Sequence, residues 1–205
     1  MSKVFASLGM SLDGFISGPN AAPDNPLGDG GLRIHEWVEN VESWRERQSI
    51  GGGESNADDA IVRENFARAG VYIMGRRMFD EGEQGWPDPP PFRAPVFVLT
   101  NSPRAPWVRQ GGTTFTFVTD GIDSALAQAR KAAAGKDVQI SGGAHTVRQF
   151  LDAGLIDELQ IHLAPIVLGK GVRLFDDVSP ALTVEPARVI HSSAVTHLTY
   201  RILRG

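Results

Sequence analysis

The chain has 205 residues, a formal net charge of −4 and no cysteine, and 41% of its residues are hydrophobic. This length and composition fit one α/β domain with a full core, while the acidic balance argues against coating nucleic acid or anionic membrane. The absence of cysteine excludes disulfides, thiolate metal sites and a cysteine nucleophile. The start has no apolar signal-peptide region, and no apolar run approaches the roughly 20 residues that span a bilayer, so we expect a cytoplasmic protein.

Strands and helices alternate through most of the chain. In chain order the patterns predict strand 3–8, helix 56–69, strand 71–74, strand 95–100, strand 113–118, helix 122–134, a strand beginning at 138, helix 144–153 and strand 159–168. The tail predicts an antiparallel hairpin from 183–190 and 194–203 across a two-residue link. The expected fold is therefore α/β, with a mixed, mostly parallel sheet that helices flank and a C-terminal antiparallel hairpin closes.

Residues 20–56 differ from the rest because they are rich in Pro, Gly, Asp and Asn. We interpret them as an insertion in a single domain that spans 1–205, with one helix from about 35 to 48. Long loops in compact domains are usually functional or disordered, and Trp37 and Trp44 indicate packing against other parts of the chain. Together with Trp86, these residues could wall a pocket for a planar substrate or form buried core.

Two junctions at strand ends have features of a phosphate site. The first runs from a strand through Gly142 and Gly143 into a helix, where the backbone can approach a ligand and the first-turn N–H groups lack partners. The second carries Gly-Arg-Arg at 75–77, and arginine guanidinium groups match phosphate oxygens. A tight connection and a pair of solvated charges are the simpler alternatives, but the two junctions together favour a dinucleotide site.

Five short motifs occur in a specific order: Ser-Leu-Asp-Gly at 11–14, Met-Gly-Arg at 74–76, Leu-Thr-Asn at 99–101, Gly-Gly-Ala at 142–144 and Ala-Pro-Ile-Val-Leu-Gly at 164–169. In this order the chain resembles the dihydrofolate reductase superfamily. It is most similar to the bacterial branch built on the reductase domain that ends riboflavin-biosynthesis deaminase-reductases. The resemblance covers nearly the whole chain outside 20–56, and it implies an NADPH-dependent reductase that forms a homodimer.

The resemblance also implies roles for the residues that match the family motifs. The positions that correspond to contacts with cofactor phosphates are Gly75, Arg76 and Arg77 at the first turn, Thr100 and Asn101 at the adenosine 2′-phosphate, and Gly142, Gly143, Ala144 and Thr146 at the pyrophosphate. In this superfamily the paired glycines can be joined by an unusual cis peptide. Leu12, Asp13 and Gly14 resemble the loop that closes over the nicotinamide. Ser141 departs from the riboflavin reductases, which carry a glutamate there, and so removes a charge that would contact a ribityl or pyrimidine substrate.

Hydride transfer to a C=N or C=O bond needs a cofactor held against the substrate and a source of a proton. Asp13 and Asp59 are the candidate catalytic carboxylates, because a carboxylate can bind the N–C–N–H edge of a pterin or pyrimidine. Asp59 is the better match by count to the helix carboxylate of folate reductases. The alternatives are a turn-forming Asp-Gly pair for Asp13 and a helix N-terminal acid for Asp59. We interpret His145 as exposed and His162 as structural.

The leading hypothesis is an NADPH-dependent reductase of a small nitrogen-rich heterocycle that is pyrimidine-like, as in the riboflavin pathway, or pterin-like. A catalytically degenerate nucleotide-binding module is the alternative, and a structural dimer component without cofactor affinity is a third. The sequence contains no complete P-loop, Gly-x-Ser-x-Gly elbow or Rossmann fingerprint, which argues against those classes of nucleotide-binding protein and hydrolase. The zinc-protease motif is also incomplete, so we predict no metal site.

Overall fold

A computed structural model describes residues 2–203. Its strands are β1 (Val4–Ser11), β2 (Phe15–Ser17), β3 (Ala69–Gly75), β4 (Val96–Leu99), β5 (Trp107–Val108), β6 (Thr114–Val118), β7 (Asp137–Gly142), β8 (Glu158–Ala164), β9 (Val172–Arg173), β10 (Thr183–His191) and β11 (Thr196–Leu203). Its helices are α1 (Glu36–Glu39), α2 (Glu42–Arg47), α3 (Ala57–Arg68), α4 (Arg76–Gly82), α5 (Ile122–Ala132) and α6 (Ala144–Asp152), preceded by a 3-10 helix at Gly31–Ile34.

Nine of these strands form one sheet in the order β10-β11-β8-β1-β7-β3-β4-β6-β5. The six strands from β8 to β6 are parallel to their neighbours, whereas β11 pairs antiparallel with β8, β10 with β11, and β5 with β6. Strands β2 and β9 form a separate antiparallel pair. The predicted mixed, mostly parallel sheet with a C-terminal antiparallel hairpin is confirmed.

The central strand β1 shows how the sheet separates two faces. Val4 and Ala6 point into the core that α5 and α6 complete, while Phe5 belongs to a second core that includes Phe79 of α4. Successive side chains of a strand point to opposite faces, so Ser7 lies on the face of Phe5. Within residues 2–203, no helix is both long enough and apolar enough to cross a membrane.

The prediction of one helix over 35–48 is wrong. The segment contains the two short helices α1 and α2 instead, because Val41 between them is extended and forms an isolated bridge with Glu54. Across this bridge, the Glu42 N–H donates to the Glu54 carbonyl, and the Glu54 N–H donates to the Asn40 carbonyl. These bonds interrupt the helical hydrogen-bond pattern.

The tryptophans of this region are partly buried and pack against a small hydrophobic core of Val38, Val41 and Val62. Trp44 stacks on Phe66 of α3 at 6.5 Å between ring centroids, and Trp37 packs against two histidines of the sheet. Trp86, outside the insertion, stacks on Phe115 at 5.3 Å. None of the three is among the lining residues of the large cavity described below, and each is partly buried against a hydrophobic core rather than enclosed within it.

Two other boundaries differ from the predictions. Strand β8 ends at Ala164 rather than at 168, because Pro165 has no N–H to donate to a ladder. The hairpin link covers residues 192–195, since the Ser192 hydroxyl accepts hydrogen bonds from the N–H groups of Ala194 and Val195 and so holds a longer turn. Helix α4 and the short strands β5 and β9 were not predicted.

Candidate functional site

A cavity of about 710 Å³ lies at the carboxyl ends of β3, β4, β6 and β7. Its walls include Gly75 at the end of β3, Thr100 after β4, Thr119 after β6 and Ser141 near the end of β7. Ligands of open α/β sheets bind at this edge, and the volume falls within the range of cofactor and small-molecule sites. The sheet therefore brings segments that are distant in the chain together at one concave site.

The paired glycines form an open corner of this cavity. Gly142 has φ +128°, a conformation that L side chains rarely adopt, and the Gly142–Gly143 peptide is cis, as the resemblance implies. A Cβ built on Gly143 would meet no heavy atom of the described chain within 4 Å. Helix α6 begins directly after it at Ala144 without a side-chain cap, so its first-turn N–H groups remain available to an anion.

Ser141 adds a polar group at this corner. Ser141 is one of the cavity-lining residues, and its Oγ is buried without a hydrogen-bond partner among residues 2–203. A buried hydroxyl without a partner costs free energy unless a ligand or water satisfies it. Together with the open glycine corner, this unpaired hydroxyl fits a site that receives a polar, anionic group.

The second junction packs tightly against the first. A Cβ on Gly75 would lie 2.5 Å from Oγ1 of Thr146, which is buried in the first turn of α6. Real Cβ atoms essentially never approach this closely, so glycine at position 75 permits the contact between β3 and α6. The two predicted phosphate-binding turns are therefore one packed unit.

The charge of the cavity walls is opposite to that of the whole chain. Arg76, Arg77 and Arg148 line the cavity, and Glu81 is the one carboxylate that the lining contributes within residues 2–203. Arg76 pairs with Asp80 at 2.7 Å and Arg77 with Glu81 at 3.3 Å, each four residues further along α4. In a chain of net charge −4, this concentration of arginine makes the cavity wall locally positive, which suits anionic oxygens.

The predicted cofactor-binding residues separate into two groups. The cavity lining includes Gly75, Arg76, Arg77, Thr100, Asn101, Gly142, Gly143, Ala144 and Thr146. Leu12, Asp13 and Gly14 are not part of the lining, although the nearby Ile16 and Ser17 are. Leu12 is 58% exposed, and Gly14 has φ +85° in the turn that follows.

Asp13 bonds to the loop that follows β8. Its carboxylate accepts hydrogen bonds from the N–H groups of Leu168 at 3.1 Å and Gly169 at 2.7 Å, and from the Ser11 hydroxyl at 2.7 Å. Partial desolvation raises the pKa of Asp13, but hydrogen bonds from Ser11, Gly169 and Leu168 outweigh it and lower this pKa from 3.8 to about 2. The geometry makes Asp13 a tether between the 11–14 turn and the 164–169 loop.

We expect Asp13→Asn to lower the free energy of unfolding at neutral pH, because the amide offers one acceptor oxygen in place of two. A carboxylate with a depressed pKa in the folded state stabilises above its unfolded pKa, and this contribution disappears as the pH falls through about 2. Urea unfolding of wild type and variant between pH 7 and pH 2 measures the difference. A gap between the two proteins that is as large at pH 2 as at pH 7 would contradict the tether.

The structure does not bring Asp59 to the cavity. Its carboxylate accepts from the Ser43 N–H at 2.8 Å and pairs with Arg63 at 3.2 Å, so it joins α3 to α2 of the insertion. Desolvation opposes ionisation, but the hydrogen bonds from Ser43 and Arg63 lower the pKa of Asp59. The neighbouring Asp58 also turns into the protein, where it contacts His197.

The cavity is also lined by groups that the sequence patterns did not identify as site residues. Ser7, His35 and Glu81 line it on the side of β1 and α4. Burial lowers the pKa of His35 to about 4, so its imidazole is neutral near pH 7. The spacing of Glu81 four residues after Arg77 was the available signal for Glu81, whereas Ser7 and His35 depend on how strands and insertion pack.

Residues 2–198 match the RibD C-terminal domain family. The YyaP protein of Bacillus subtilis (strain 168) is 25% identical over 201 residues, which cover 97% of this chain and 94% of that protein. A crystal structure of a Shewanella sp. PV-4 protein assigned to riboflavin biosynthesis superposes with a TM-score of 0.69 at 24% identity, covering 100% of both chains.

A second solved structure is dihydrofolate reductase from Enterococcus faecalis, complexed with NADP(H) and RAB-propyl. It superposes with a TM-score of 0.57 at 15% identity, covering 98% of this chain and 96% of that one. The fold and the position of the cavity thus define a dihydrofolate-reductase-like protein. Within that class, the chain belongs to the RibD C-terminal domain family.

Proposed function

We propose that this protein is an NADPH-dependent reductase that transfers hydride to a small, planar, nitrogen-rich heterocycle of the pyrimidine or pterin type. The observation that carries the proposal is the open corner formed by Ser141, Gly142 and Gly143, with an unpaired buried hydroxyl beside the N-terminus of α6. The family match and the NADP(H) bound by the structurally similar Enterococcus reductase support this choice of cofactor.

The residues of this corner would hold the cofactor's pyrophosphate. The N–H groups of Ala144 and Thr146 lie in the first turn of α6, where the helix dipole also favours an anion. Arg76 and Arg77 supply guanidinium groups, and Thr100 and Asn101 supply polar groups at the end of β4. When bound, the cofactor would supply the hydride and its electron pair.

The side of the cavity near β1 and α4 would receive the heterocycle. Glu81 is largely buried, and its Oε2 accepts from the Leu27 N–H at 3.4 Å. Its Oε1 pairs with Arg77 at 3.3 Å, and one lone pair on each carboxylate oxygen is left to accept from an N–C–N–H edge. Binding this edge is the role that the sequence suggested for Asp13 or Asp59. We therefore assign substrate recognition to Glu81 and the tethering of loops to the two aspartates.

Turnover of NADPH tests the reductase directly. The purified protein would be mixed with NADPH and a panel of pterins, pyrimidines and quinones, and the loss of absorbance at the reduced nicotinamide band would be followed. Oxidation that depends on a pterin or pyrimidine supports the proposal. Tight NADPH binding without turnover on any compound would favour the nucleotide-binding module instead.

We expect Arg77→Gln to weaken NADPH binding about tenfold, because one exposed cation facing a phosphate contributes on the order of 1 kcal/mol. Arg201→Gln is the matched control. Both side chains are about equally exposed, at 63% and 62%, and each has one carboxylate partner, at 3.3 Å and 3.4 Å. Fluorescence titration with NADPH measures both variants, and an equal effect of the two would contradict a specific phosphate contact.

A homodimer joined at the exposed edge strand β10 is part of the proposal. The resemblance implies a dimer, and Val184 and Val189 expose apolar side chains on this strand. An unpaired edge strand is a natural pairing surface. Light scattering in solution tests the assembly, and a monomer at high protein concentration would contradict it.

A further inference from the structure

A chain of buried polar groups runs from Asp58 of α3 to the cavity. Asp58 Oδ1 lies 2.9 Å from His197 Nε2, His197 Nδ1 lies 2.7 Å from His162 Nδ1, and His162 Nε2 lies 2.8 Å from Ser7 Oγ. Asp58, His162 and His197 are all buried, and Ser7 lines the cavity. Each contact is within hydrogen-bond distance, so the four groups form a continuous path.

The sheet builds this path by register. His162 of β8 lies directly opposite His197 of β11, and both point to the face that α3 and the insertion cover. Trp37 of α1 packs against both imidazoles, with ring centroids 5.1 Å from each. The indole therefore closes the path against solvent on the side of the insertion.

The hydrogen positions on this path have two consistent arrangements. When Asp58 is ionised and both histidines are neutral, His197 donates from Nε2 to Asp58, His162 donates from Nδ1 to His197, and Ser7 donates to His162 Nε2. In this state each hydrogen points towards Asp58, and the Ser7 hydrogen is turned away from the cavity.

One added proton reverses two of these bonds. If His197 carries hydrogen on both nitrogens, it donates to His162 Nδ1, and His162 then carries its hydrogen on Nε2 and donates to Ser7. The Ser7 oxygen also accepts from Asn65 Nδ2 at 3.3 Å, so both of its lone pairs are then occupied. The Ser7 hydrogen is left to point into the cavity.

We propose that the Asp58–His197 pair stores a proton and that His162 and Ser7 pass it to the substrate during reduction. This inference rests on the proposed reductase function and names the proton source for it. Ser7 would be the catalytic residue at the cavity, and Asp58, His162 and His197 would be positioning residues that act through it.

The step balances in atoms and electrons. When bound, NADPH would supply the hydride and its electron pair to the substrate carbon and would leave as NADP⁺. The substrate nitrogen or oxygen would form its new bond to hydrogen as the Ser7 O–H bond breaks. Ser7 regains hydrogen from His162 Nε2, His162 Nδ1 takes hydrogen from His197, and His197 returns to its neutral form beside Asp58. A proton from bulk solvent that enters through the open cavity then returns to His197 by the reverse transfers, with no other product.

The surroundings suit the assigned roles. Burial, with smaller contributions from His197 and His35, lowers the pKa of His162 to about 3, so His162 transmits a proton without keeping it. Asp58 is the acidic group that contacts His197. Two further charged groups, Glu64 and Arg188, line a small cavity beside both imidazoles, but they pair with each other at 2.7 Å. The neighbouring Gln160 bonds to Asn65.

NMR of protein labelled with ¹⁵N-histidine tests the store without any ligand, since ring-nitrogen shifts separate protonated from bare nitrogens. The chain has five histidines, so single His→Gln variants can assign the signals. When His197 carries hydrogen on both nitrogens, we expect His162 to carry its hydrogen on Nε2 rather than on Nδ1, so the signals of the two rings should change together. A His162 that keeps one tautomer while His197 titrates would overturn the inference.

Turnover tests delivery to the cavity, with the panel compound that wild-type protein reduces as the probe. We expect Ser7→Ala to lower kcat at least tenfold, in line with the effect of general acids, and to leave the dissociation constant for NADPH unchanged. Ser7→Thr keeps a hydroxyl and should restore most of the rate. Wild-type turnover by Ser7→Ala would overturn the role of Ser7. A failure of wild-type protein to bind or oxidise NADPH would instead refute the proposed function, while the tautomer experiment still decides whether the store exists.

Discussion

Gly143→Asp is expected to weaken NADPH binding at least 100-fold, which corresponds to about 2.7 kcal/mol of binding free energy. The new carboxylate would stand at the open corner beside the first turn of α6, where the proposal places the pyrophosphate. Like charges brought together in a partly desolvated site cost several kcal/mol. Isothermal titration calorimetry with NADPH measures the change.

Gly143→Ala is the control for this experiment. A Cβ at this position meets no described heavy atom within 4 Å, so alanine introduces the same branch without charge. We expect it to bind NADPH within a few-fold of wild type. Equal weakening by both variants would show that the backbone, rather than the charge, controls binding, and unchanged binding by Gly143→Asp would place the phosphates elsewhere.

Gly75→Ala is expected to lower the free energy of unfolding by about 1–3 kcal/mol, the usual cost of overpacking a tight contact. The added Cβ would lie 2.5 Å from Thr146 Oγ1. Thr146 is β-branched and buried at the start of α6, so its rotamers are restricted. Because this contact joins the two turns to which we assign the cofactor phosphates, NADPH binding should weaken as well. Urea unfolding and calorimetry measure the two effects.

The double variant Gly75→Ala/Thr146→Ala isolates the contact. Removing Oγ1 leaves the Thr146 Cβ as the nearest atom, at an ordinary distance of 3.7 Å. We therefore expect the double variant to be more stable than the sum of the two single changes predicts, by about 0.5 kcal/mol or more. Strict additivity would contradict the close approach of the two turns.

The sequence was most informative where a local pattern determines the structure. Alternation of strands and helices predicted the parallel sheet, and Gly142 with Gly143 marked the corner after β7 because few residues other than glycine adopt such a backbone. The same patterns placed Arg76 and Arg77 at the cavity, since both follow directly from the end of β3.

The remaining features depend on contacts between distant segments. The pairing of His162 with His197 follows from the register of β8 against β11, which no local pattern specifies. Asp59 satisfied the spacing expected of a catalytic carboxylate, but it lies away from the cavity, and Ser43 of α2 and Arg63 of α3 each bond to one of its oxygens. Pairing of Val41 with Glu54 likewise divided the predicted helix, because a bridge between distant residues outweighed helix propensity.

The central claim is that the Ser141–Gly143 corner binds the pyrophosphate of NADPH. Isothermal titration of the folded wild-type protein with NADPH, followed by NADH, tests it most directly. We predict saturable binding of one NADPH per chain and binding of NADH that is at least tenfold weaker. Absence of binding by either coenzyme, in protein whose folded state is verified by circular dichroism, would contradict the account.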